Sequence, residues 1–320
     1  MKKIKLAEKY IGDDYPCYVI AEIGNLFKNF EEAKRLIDSA KEIGVDAIKF
    51  QTWDAETLTT KKNFFDLNIT GHISQYEFHK EIQISEALQM RIVQYAKSNN
   101  ITIFSAPSHI KDLELLEKME IPYYKIGSDL ACHIPLLKKI AKLNKPIILS
   151  TGMCTMEEIH DSVNSILNNG NNQLILLHCV SDYPTKIEES NINAILEMKK
   201  EFDLPVGFSD HTIGNMASLS AVAIGANIIE RHLKDSRNGS FPDDIYALTK
   251  TEFSDLINSI KNIEKARGSG IKEPSKSEKI NLLTNRVSIV SMKEIKAGTI
   301  LDEKMIDVRR ESCINAGKIL

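Results

Sequence analysis

The stretch from Pro205 to His232 reads PVGFSDHTIGNMASLSAVAIGANIIERH. It contains two short apolar runs, PVGF and ANIIE, separated by a small-residue segment from about Ile213 to Ile224 that is typical of a helix. A strand, a helix and a second strand form a βαβ unit, in which the two strands are parallel neighbours roughly 4.8 Å apart. The stretch therefore predicts a parallel α/β fold.

Each of the two runs ends in a polar cluster, Ser209-Asp210-His211 after the first and Glu230-Arg231-His232 after the second. Because the two strand ends are equivalent, His211 and His232 can point their imidazoles at one shared place. Imidazole is a common ligand of divalent metals, so a metal site is one interpretation. The alternative, in which each histidine is a hydrogen-bonded structural residue, stays open at this point.

The pattern of apolar run, polar turn and amphipathic helix repeats along most of the chain. The runs are YVIAE (18–22), VDAIKFQ (45–51), ITIFS (101–105), YYKI (123–126), PIILS (146–150), LILLHC (174–179), PVGFS (205–209) and ANIIE (226–230). Eight apolar strands with helices between and after them predict a (β/α)₈ TIM barrel. A doubly wound sheet would need a reversal of strand order, which the sequence does not exclude.

Composition changes mark the expected domains. We expect a catalytic barrel over 1–268, a polar linker over 269–285, and a small C-terminal module with a β-type pattern over 286–320. The longest break in the repeat, 52–80, predicts a loop that reaches over the barrel mouth.

Charge and composition limit the partners. The 320 residues are 42% hydrophobic and 27% charged, with a net charge of −3, so neither nucleic acid nor an anionic membrane is expected as a partner. We find no apolar run typical of a signal peptide or a membrane span. Five scattered cysteines, an odd number without CxxC spacing, predict reduced thiols in the cytoplasm.

Polar residues, among them Ser105 and His178, occur at the ends of all eight runs, where a barrel carries its chemistry, and we expect all eight ends to line one pocket. Lys49 and Lys125 are notable, because a buried lysine is costly unless it is paired with an anion. With serines nearby, the two lysines are suited to holding a phosphate and a carboxylate. The alternative is that both form structural salt bridges with Glu22 and Glu230.

The motifs YVIAEIG, DAIKFQT, KIGS, ILSTGM, LLHCVSDYP, VGFSDHT and IIERH, in this order, closely resemble the sialic acid synthase family. The resemblance covers about residues 17–312 and implies a barrel followed by an antifreeze-like domain, here short and incomplete. It also implies a homodimer in which that domain covers the partner's active site. The implied reaction condenses phosphoenolpyruvate with an open-chain N-acetylated hexosamine, N-acetylmannosamine or a 2,4-diacetamido hexose. A nine-carbon 2-keto acid and phosphate result, with Mn²⁺, or else Mg²⁺ or Co²⁺, as cofactor.

The same resemblance implies roles for individual residues. The metal ligands would be His211 and His232, and either Glu22 or Glu230 would position or deprotonate the attacking water. Phosphoenolpyruvate would be held by Lys49, Lys125, Ser128, Ser150, Ser181 and Ser209. The sugar side would be formed by Glu22, Gln51, Tyr183, Asp243 and Arg310. The two lysines and the two glutamates form the predicted catalytic set.

The chain departs from the family pattern at several places. Asn25-Leu26-Phe27-Lys28-Asn29 replaces an N-H-N-G loop, and Ala106 replaces a hydroxyl residue expected near phosphoenolpyruvate. Phe241-Pro242-Asp243 replaces GPD, and the chain ends at Leu320, before an antifreeze-like domain would be complete. These departures concern the sugar and the capping of the site.

Two other functions remain as alternatives. A related phosphoenolpyruvate aldol synthase would act on a sugar phosphate and should need arginines at the rim, but the strand ends carry only Arg231. A catalytically idle sugar-binding homologue is the second alternative. Retention of both lysines and both histidines argues against it.

Overall fold

A computed structural model of the chain describes residues 2–24, 26–67, 71–235 and 241–310. Asn25, Cys313 and the last ten residues of the predicted C-terminal module lie outside these ranges. The strands are β1 (Ile4–Leu6), β2 (Lys9–Ile11), β3 (Tyr18–Gly24), β4 (Ala47–Thr52), β5 (Phe64–Leu67), β6 (Gly71–Ser74), β7 (Thr102–Pro107), β8 (Tyr124–Ile126), β9 (Ile147–Ser150), β10 (Leu174–Cys179), β11 (Val206–Ser209), β12 (Ile228–His232), β13 (Val287–Ser291) and β14 (Ile306–Arg310).

Eight of these strands, β3, β4 and β7 to β12, form a closed parallel barrel in chain order, with β12 pairing back onto β3. Every apolar run of the sequence supplies one of them. The prediction of a (β/α)₈ barrel is confirmed, and the doubly wound alternative is wrong because the sheet closes on itself.

Helices connect the strands and surround the barrel. They are α1 (Phe30–Ile43), α2 (Ala55–Leu58), α3 (Gln75–Ile82), α4 (Glu86–Ser98), α5 (Asp112–Lys118), α6 (Ile134–Ala141), α7 (Met156–Leu167), α8 (Ala194–Phe202), α9 (Met216–Ala223), α10 (Lys250–Arg267) and α11 (Glu278–Thr284). Local sequence sets their ends. Asn29 caps the start of α1 through Glu32 N–H, and α1 stops at Gly44, whose φ of 81° favours glycine.

Alternation along the barrel strands divides the core into two layers. Side chains such as Tyr18, Ile20 and Ala47 face the barrel interior and form one buried cluster. Their sequence neighbours, such as Val19 and Ile48, face outward and pack against the helices in a larger cluster. Which face a residue occupies therefore decides whether it reaches the barrel interior.

The N-terminal hairpin of β1 and β2 covers the amino-terminal end of the barrel. Ile4, Leu6 and Ile11 are buried in the same cluster as the inner-facing residues. The sequence analysis did not predict this hairpin, because charged residues separate its apolar ones and each strand has only three residues.

The segment predicted as a loop over 52–80 contains regular structure. It carries α2, most of α3, and the antiparallel pair β5–β6. Helix α3 is docked by hydrogen bonds from Trp53 Nε1 to His79 O and from Ala55 N to Gln83 Oε1, just beyond the helix end.

The chain divides into two compact units, Met1–Arg267 and Gly268–Leu320. The second unit contains α11, which lies within the predicted linker, and the antiparallel pair β13–β14. Its identity as an antifreeze-like domain stays a prediction. No helix in the described part of the chain is long and apolar enough to cross a membrane.

Candidate active site

Strand alternation aims the predicted catalytic residues into the barrel. Glu22 stands two residues beyond the inner-facing Ile20, and Lys49 stands two beyond Ala47. By the same two-residue step, Lys125 follows Tyr123, and Glu230 follows Ile228. All four lie near the carboxyl ends of their strands, where barrel enzymes carry their active sites.

These four residues form a buried network of opposite charges, which we call the charge quartet. Lys49 Nζ contacts Glu22 Oε2 and lies 3.3 Å from Glu230 Oε1. Lys125 Nζ lies 3.3 Å from the same Glu230 oxygen. Each residue is at most 5% exposed, so the two positive and two negative charges compensate one another away from water. The salt-bridge alternative from the sequence thus describes a contact that is present.

The two carboxylates of the quartet differ in basicity. Burial raises the pKa of Glu230, but Lys125 and Lys49 outweigh it and lower the pKa to about 2. Burial raises the pKa of Glu22, with Lys49 opposing and the charge of Glu230 adding to the rise. Burial also lowers the pKa of Lys125, whereas the nearby carboxylates outweigh burial and raise the pKa of Lys49. Glu22 is therefore the better proton acceptor.

A group of serine hydroxyls lies beside the quartet, and we call it the serine wall (Ser128, Ser150, Ser181 and Ser209). Ser209 Oγ donates to Glu230 Oε1 at 3.1 Å, which ties the wall to the quartet. Ser150 is 2% exposed, and its Oγ has no hydrogen-bond partner among the described residues. A buried hydroxyl without a partner is costly, so Ser150 is suited to meet a ligand.

Ser128 and Ser181, two other predicted phosphoenolpyruvate ligands, approach the backbone closely at Gly152. Its N–H donates to Ser128 Oγ at 3.0 Å, and Ser128 Oγ lies 3.0 Å from Cys179 Sγ. A Cβ added at Gly152 would stand 2.5 Å from Ser181 Oγ, 2.8 Å from Cys179 Sγ and 2.9 Å from Ser128 Oγ. The loop can pass this close only because it has no side chain.

The two histidines meet at the carboxyl ends of β11 and β12, close to the quartet. His211 and His232 have ring centroids 5.8 Å apart and are both buried. Tyr246 packs edge-on against both rings, at 5.8 and 5.1 Å, and Tyr183 lies 4.6 Å from the His211 ring. Asp243 Oδ2 stands 3.5 Å from His232 Nδ1. Tyr183 and Asp243, two of the predicted sugar residues, are thus adjacent to the predicted metal ligands.

The imidazole pair fits a divalent cation chemically. Burial lowers the pKa of His211 to about 4, and burial together with Lys49 lowers the pKa of His232 to about 3. Both rings are therefore neutral near pH 7, as metal binding requires. His211 Nδ1 lies 2.9 Å from Val180 O, an arrangement that orients the ring and leaves Nε2 available. No cluster of three or more His, Cys, Asp or Glu ligands occurs among the described residues, so substrate or water would complete the coordination.

Not every polar strand end faces the site. Ser105 turns outward and bonds to Thr52 Oγ1 at 2.7 Å and Phe50 O at 3.2 Å. His178 turns outward too, with Nε2 2.9 Å from Ser190 O. The expectation that all eight ends line one pocket is wrong for these two, because both occupy the outer face of their strands.

The two remaining predicted sugar residues, Gln51 and Arg310, lie on strands. Gln51 follows Lys49 by two residues on β4 and so occupies the inner register. Arg310 ends β14 in the second unit, so its contact with the sugar stays a prediction.

Three residues of the site escaped the sequence analysis as site residues: Gly152, Cys179 and Tyr246. A signal existed for Tyr246, which follows Asp243 by three residues and is the C-cap of the 3₁₀ helix Pro242–Ile245. That spacing returns to the same side of a 3₁₀ turn.

Comparison with known proteins shows which proteins the chain is similar to. Residues 36–272 match the model of the NeuB family. The N,N'-diacetyllegionaminic acid synthase of Campylobacter jejuni is 38% identical, over 91% of this chain and 90% of that protein. The pseudaminic acid synthase of the same species is 33% identical, over 93% of this chain and 88% of that protein.

A crystal structure of the N-acetylneuraminic acid (sialic acid) synthetase of Leptospira borgpetersenii, in complex with citrate, has the same fold. It superposes with a TM-score of 0.78 at 30% identity, covering 88% of this chain and 95% of that one.

Proposed function

The chain belongs to the NeuB family, and from this premise we propose that it is a nonulosonic acid synthase. It condenses phosphoenolpyruvate with an open-chain N-acetylated hexosamine, N-acetylmannosamine or a 2,4-diacetamido hexose, and releases phosphate. The carrying observation is the charge quartet beside the serine wall and the imidazole pair. The lysines and serines suit a compact anion with two acidic groups, and the imidazole pair with Tyr183 and Asp243 suits a polar sugar.

Phosphoenolpyruvate binds on the serine side in this proposal. Lys49 and Lys125 neutralise its phosphate and carboxylate, and the anion shares the ammonium groups with Glu230. Its oxygens accept hydrogen bonds from Ser128, Ser150 and Ser181, and from Ser209 once that hydroxyl turns from Glu230 to the anion. Four fixed hydroxyls and two ammonium groups hold the enol in one orientation, which lowers the entropic part of the barrier.

The sugar binds on the imidazole side, against Tyr183 and Asp243, with Gln51 and Arg310 as further contacts. A divalent cation held by His211 and His232, Mn²⁺ by preference with Mg²⁺ or Co²⁺ as substitutes, would polarise the sugar aldehyde as a Lewis acid. The neutral rings described above support this assignment.

The reaction joins C3 of phosphoenolpyruvate to the aldehyde carbon of the sugar. The electron pair of the enol double bond forms the new C–C bond, the aldehyde oxygen takes up a proton to become a hydroxyl, and C2 is left as an oxocarbenium. Water adds to C2 and loses one proton, which replaces the proton used at the aldehyde oxygen. The C–O bond to phosphate then breaks, the remaining proton of the C2 hydroxyl passes to the phosphate, and C2 becomes the carbonyl of the 2-keto acid. Glu22 is our choice as acceptor of the water proton, because Glu230, with a pKa of about 2, is a weak base.

A sugar phosphate is a poorer fit to this site. Among the described barrel strands, the only arginine at a carboxyl end is Arg231, which is fully buried and bonded to backbone carbonyls. It cannot reach a substrate phosphate.

Phosphate release from phosphoenolpyruvate with Mn²⁺ tests the proposal. The panel is N-acetylmannosamine, 2,4-diacetamido hexoses and arabinose 5-phosphate. We expect release with an acetamido sugar, a nine-carbon product by mass spectrometry, and transfer of ¹⁸O from the bridging position of phosphoenolpyruvate into phosphate. The His211→Ala, His232→Ala double variant should be inactive but folded, while the exposed, Glu201-paired His160→Ala serves as matched control.

Two outcomes would contradict the proposal. Release with arabinose 5-phosphate alone would assign the sibling reaction. A folded, metal-loaded protein that releases no phosphate with any sugar would favour the idle homologue.

We further propose a homodimer in the cytoplasm. The second unit carries apolar side chains that are largely exposed, among them Ile300 at 91% and Ile271 at 72%, and exposed apolar surface of this kind is typical of an interface. Phosphoenolpyruvate is a cytoplasmic metabolite, which supports the location.

A further inference from the structure

Arg231 is a charged side chain next to the imidazole pair, and it is fully buried, with 0% exposure. Its neighbours Glu230 and His232 face the barrel interior, so alternation turns Arg231 to the outer side of β12, away from any substrate. The charge is compensated by Asp210, whose Oδ1 lies 3.0 Å from Arg231 Nη1 and which is itself fully buried.

The guanidinium binds four backbone carbonyls from two further segments. Nη1 donates to Asp210 O at 3.0 Å and to Thr212 O at 2.8 Å. Nη2 donates to Gly214 O at 3.0 Å and to Tyr246 O at 3.1 Å. These four hydrogen bonds and the ion pair to Asp210 all involve one planar group, so they restrict the movement of the backbone segments that contribute the partners.

These segments carry the metal and sugar side chains. The carbonyls of Asp210 and Thr212 flank His211 on both sides, and His232 is the next residue after Arg231 itself. Tyr246, held by its carbonyl, packs against both imidazoles and follows Asp243 in the same turn. One guanidinium thus connects β12, the loop after β11 and the 3₁₀ helix Pro242–Ile245.

We propose that Arg231 is a positioning residue for the imidazole pair: it fixes the separation of His211 and His232 from outside the barrel and does not bind substrate. The inference rests on the proposed function, because it gives the pair its metal-binding role. Groups that orient metal ligands in this way typically change metal affinity about tenfold or more when they are replaced.

Mn²⁺ affinity without substrates is the first measurement, by electron paramagnetic resonance and calorimetry. Arg231→Met removes every donor at similar length, and Arg231→Lys restores the charge and up to three donors. We expect Mn²⁺ binding to weaken about tenfold or more in Arg231→Met, with partial recovery in Arg231→Lys. The Co²⁺ visible spectrum should change in both.

Kinetics separate positioning from substrate binding. We expect kcat to fall and the Mn²⁺ requirement to rise, with the KM for phosphoenolpyruvate within about twofold of wild type. Arg35→Met is the matched control, because Arg35 is exposed and makes one ion pair, 2.8 Å to Asp235. Circular dichroism checks folding, and Asp210→Asn, which weakens the ion pair and retains the backbone contacts, replaces any Arg231 variant that fails to fold.

The inference is overturned if a folded variant binds Mn²⁺ within twofold of wild type, or if the KM for phosphoenolpyruvate rises more than tenfold while Mn²⁺ binding is unchanged. Wild-type protein that binds no Mn²⁺ would overturn both the inference and the metal site. Wild-type protein that binds Mn²⁺ but turns over no acetamido sugar would overturn the proposed function alone.

Discussion

Gly152 shows how a single missing side chain shapes the serine wall, where we propose that phosphoenolpyruvate binds. A methyl group there would overlap Ser181, Cys179 and Ser128 at 2.5–2.9 Å, so at least one serine would have to move. We expect Gly152→Ala to lower kcat/KM for phosphoenolpyruvate on the order of 100-fold, because misplacement of binding groups by about 1 Å costs this much. Steady-state kinetics at saturating sugar would measure it.

Gly12→Ala is the matched control for this substitution. Nothing would approach its Cβ closer than 3.6 Å, and its φ lies outside the left-handed region. It should behave as wild type. Wild-type kinetics in Gly152→Ala itself would mean that the serines are not held by this close approach.

The barrel strands were predictable from the sequence because each is a buried apolar run between turns. The same uniformly apolar character gave no indication of which side chains face the barrel interior. A strand buried on both faces has no polar side to set its register, so Ser105 and His178 could not be told apart from inner-facing neighbours. Tyr246 escaped for another reason: its role arises from contacts with two histidines that are distant in sequence.

The N-terminal hairpin is the element that the sequence concealed best, and its contribution can be measured. Leu6 is fully buried in the inner cluster. Leu6→Ala should lower the free energy of unfolding by about 2–5 kcal/mol, as large-to-small core substitutions do, with KM values little changed. Urea unfolding of this variant, with the 42% exposed Tyr10→Ala as control, would test it. An unaltered midpoint would show that the hairpin does not contribute to the barrel core.

At the scale of the molecule, the predicted site residues are distributed over both units. The barrel holds every predicted site residue except Arg310, which belongs to the second unit. If Arg310 reaches the sugar of a partner's site, Arg310→Ala should raise the KM for the acetamido sugar about tenfold and leave the KM for phosphoenolpyruvate unchanged. Steady-state kinetics, with light scattering to follow the dimer, would measure this.

Arg309→Ala is the control, since that side chain is exposed and bonds Asp307 at 2.7 Å. A monomer with full activity would remove the basis for a shared site. The motifs predicted the family and the barrel, but no pattern within one chain can specify what a second copy contributes.

The hairpin at the amino-terminal end of the barrel also limits how substrates and products reach and leave the active site. With that end filled by Ile4, Leu6 and Ile11, reactants and products share a single mouth. On β12, Glu230 precedes His232 by two residues, but His232 pairs in register with Glu22, and Glu22 with Lys49, so the quartet and the imidazole pair lie at the same end of the barrel. A product that has not yet left therefore obstructs the entry of the next substrate.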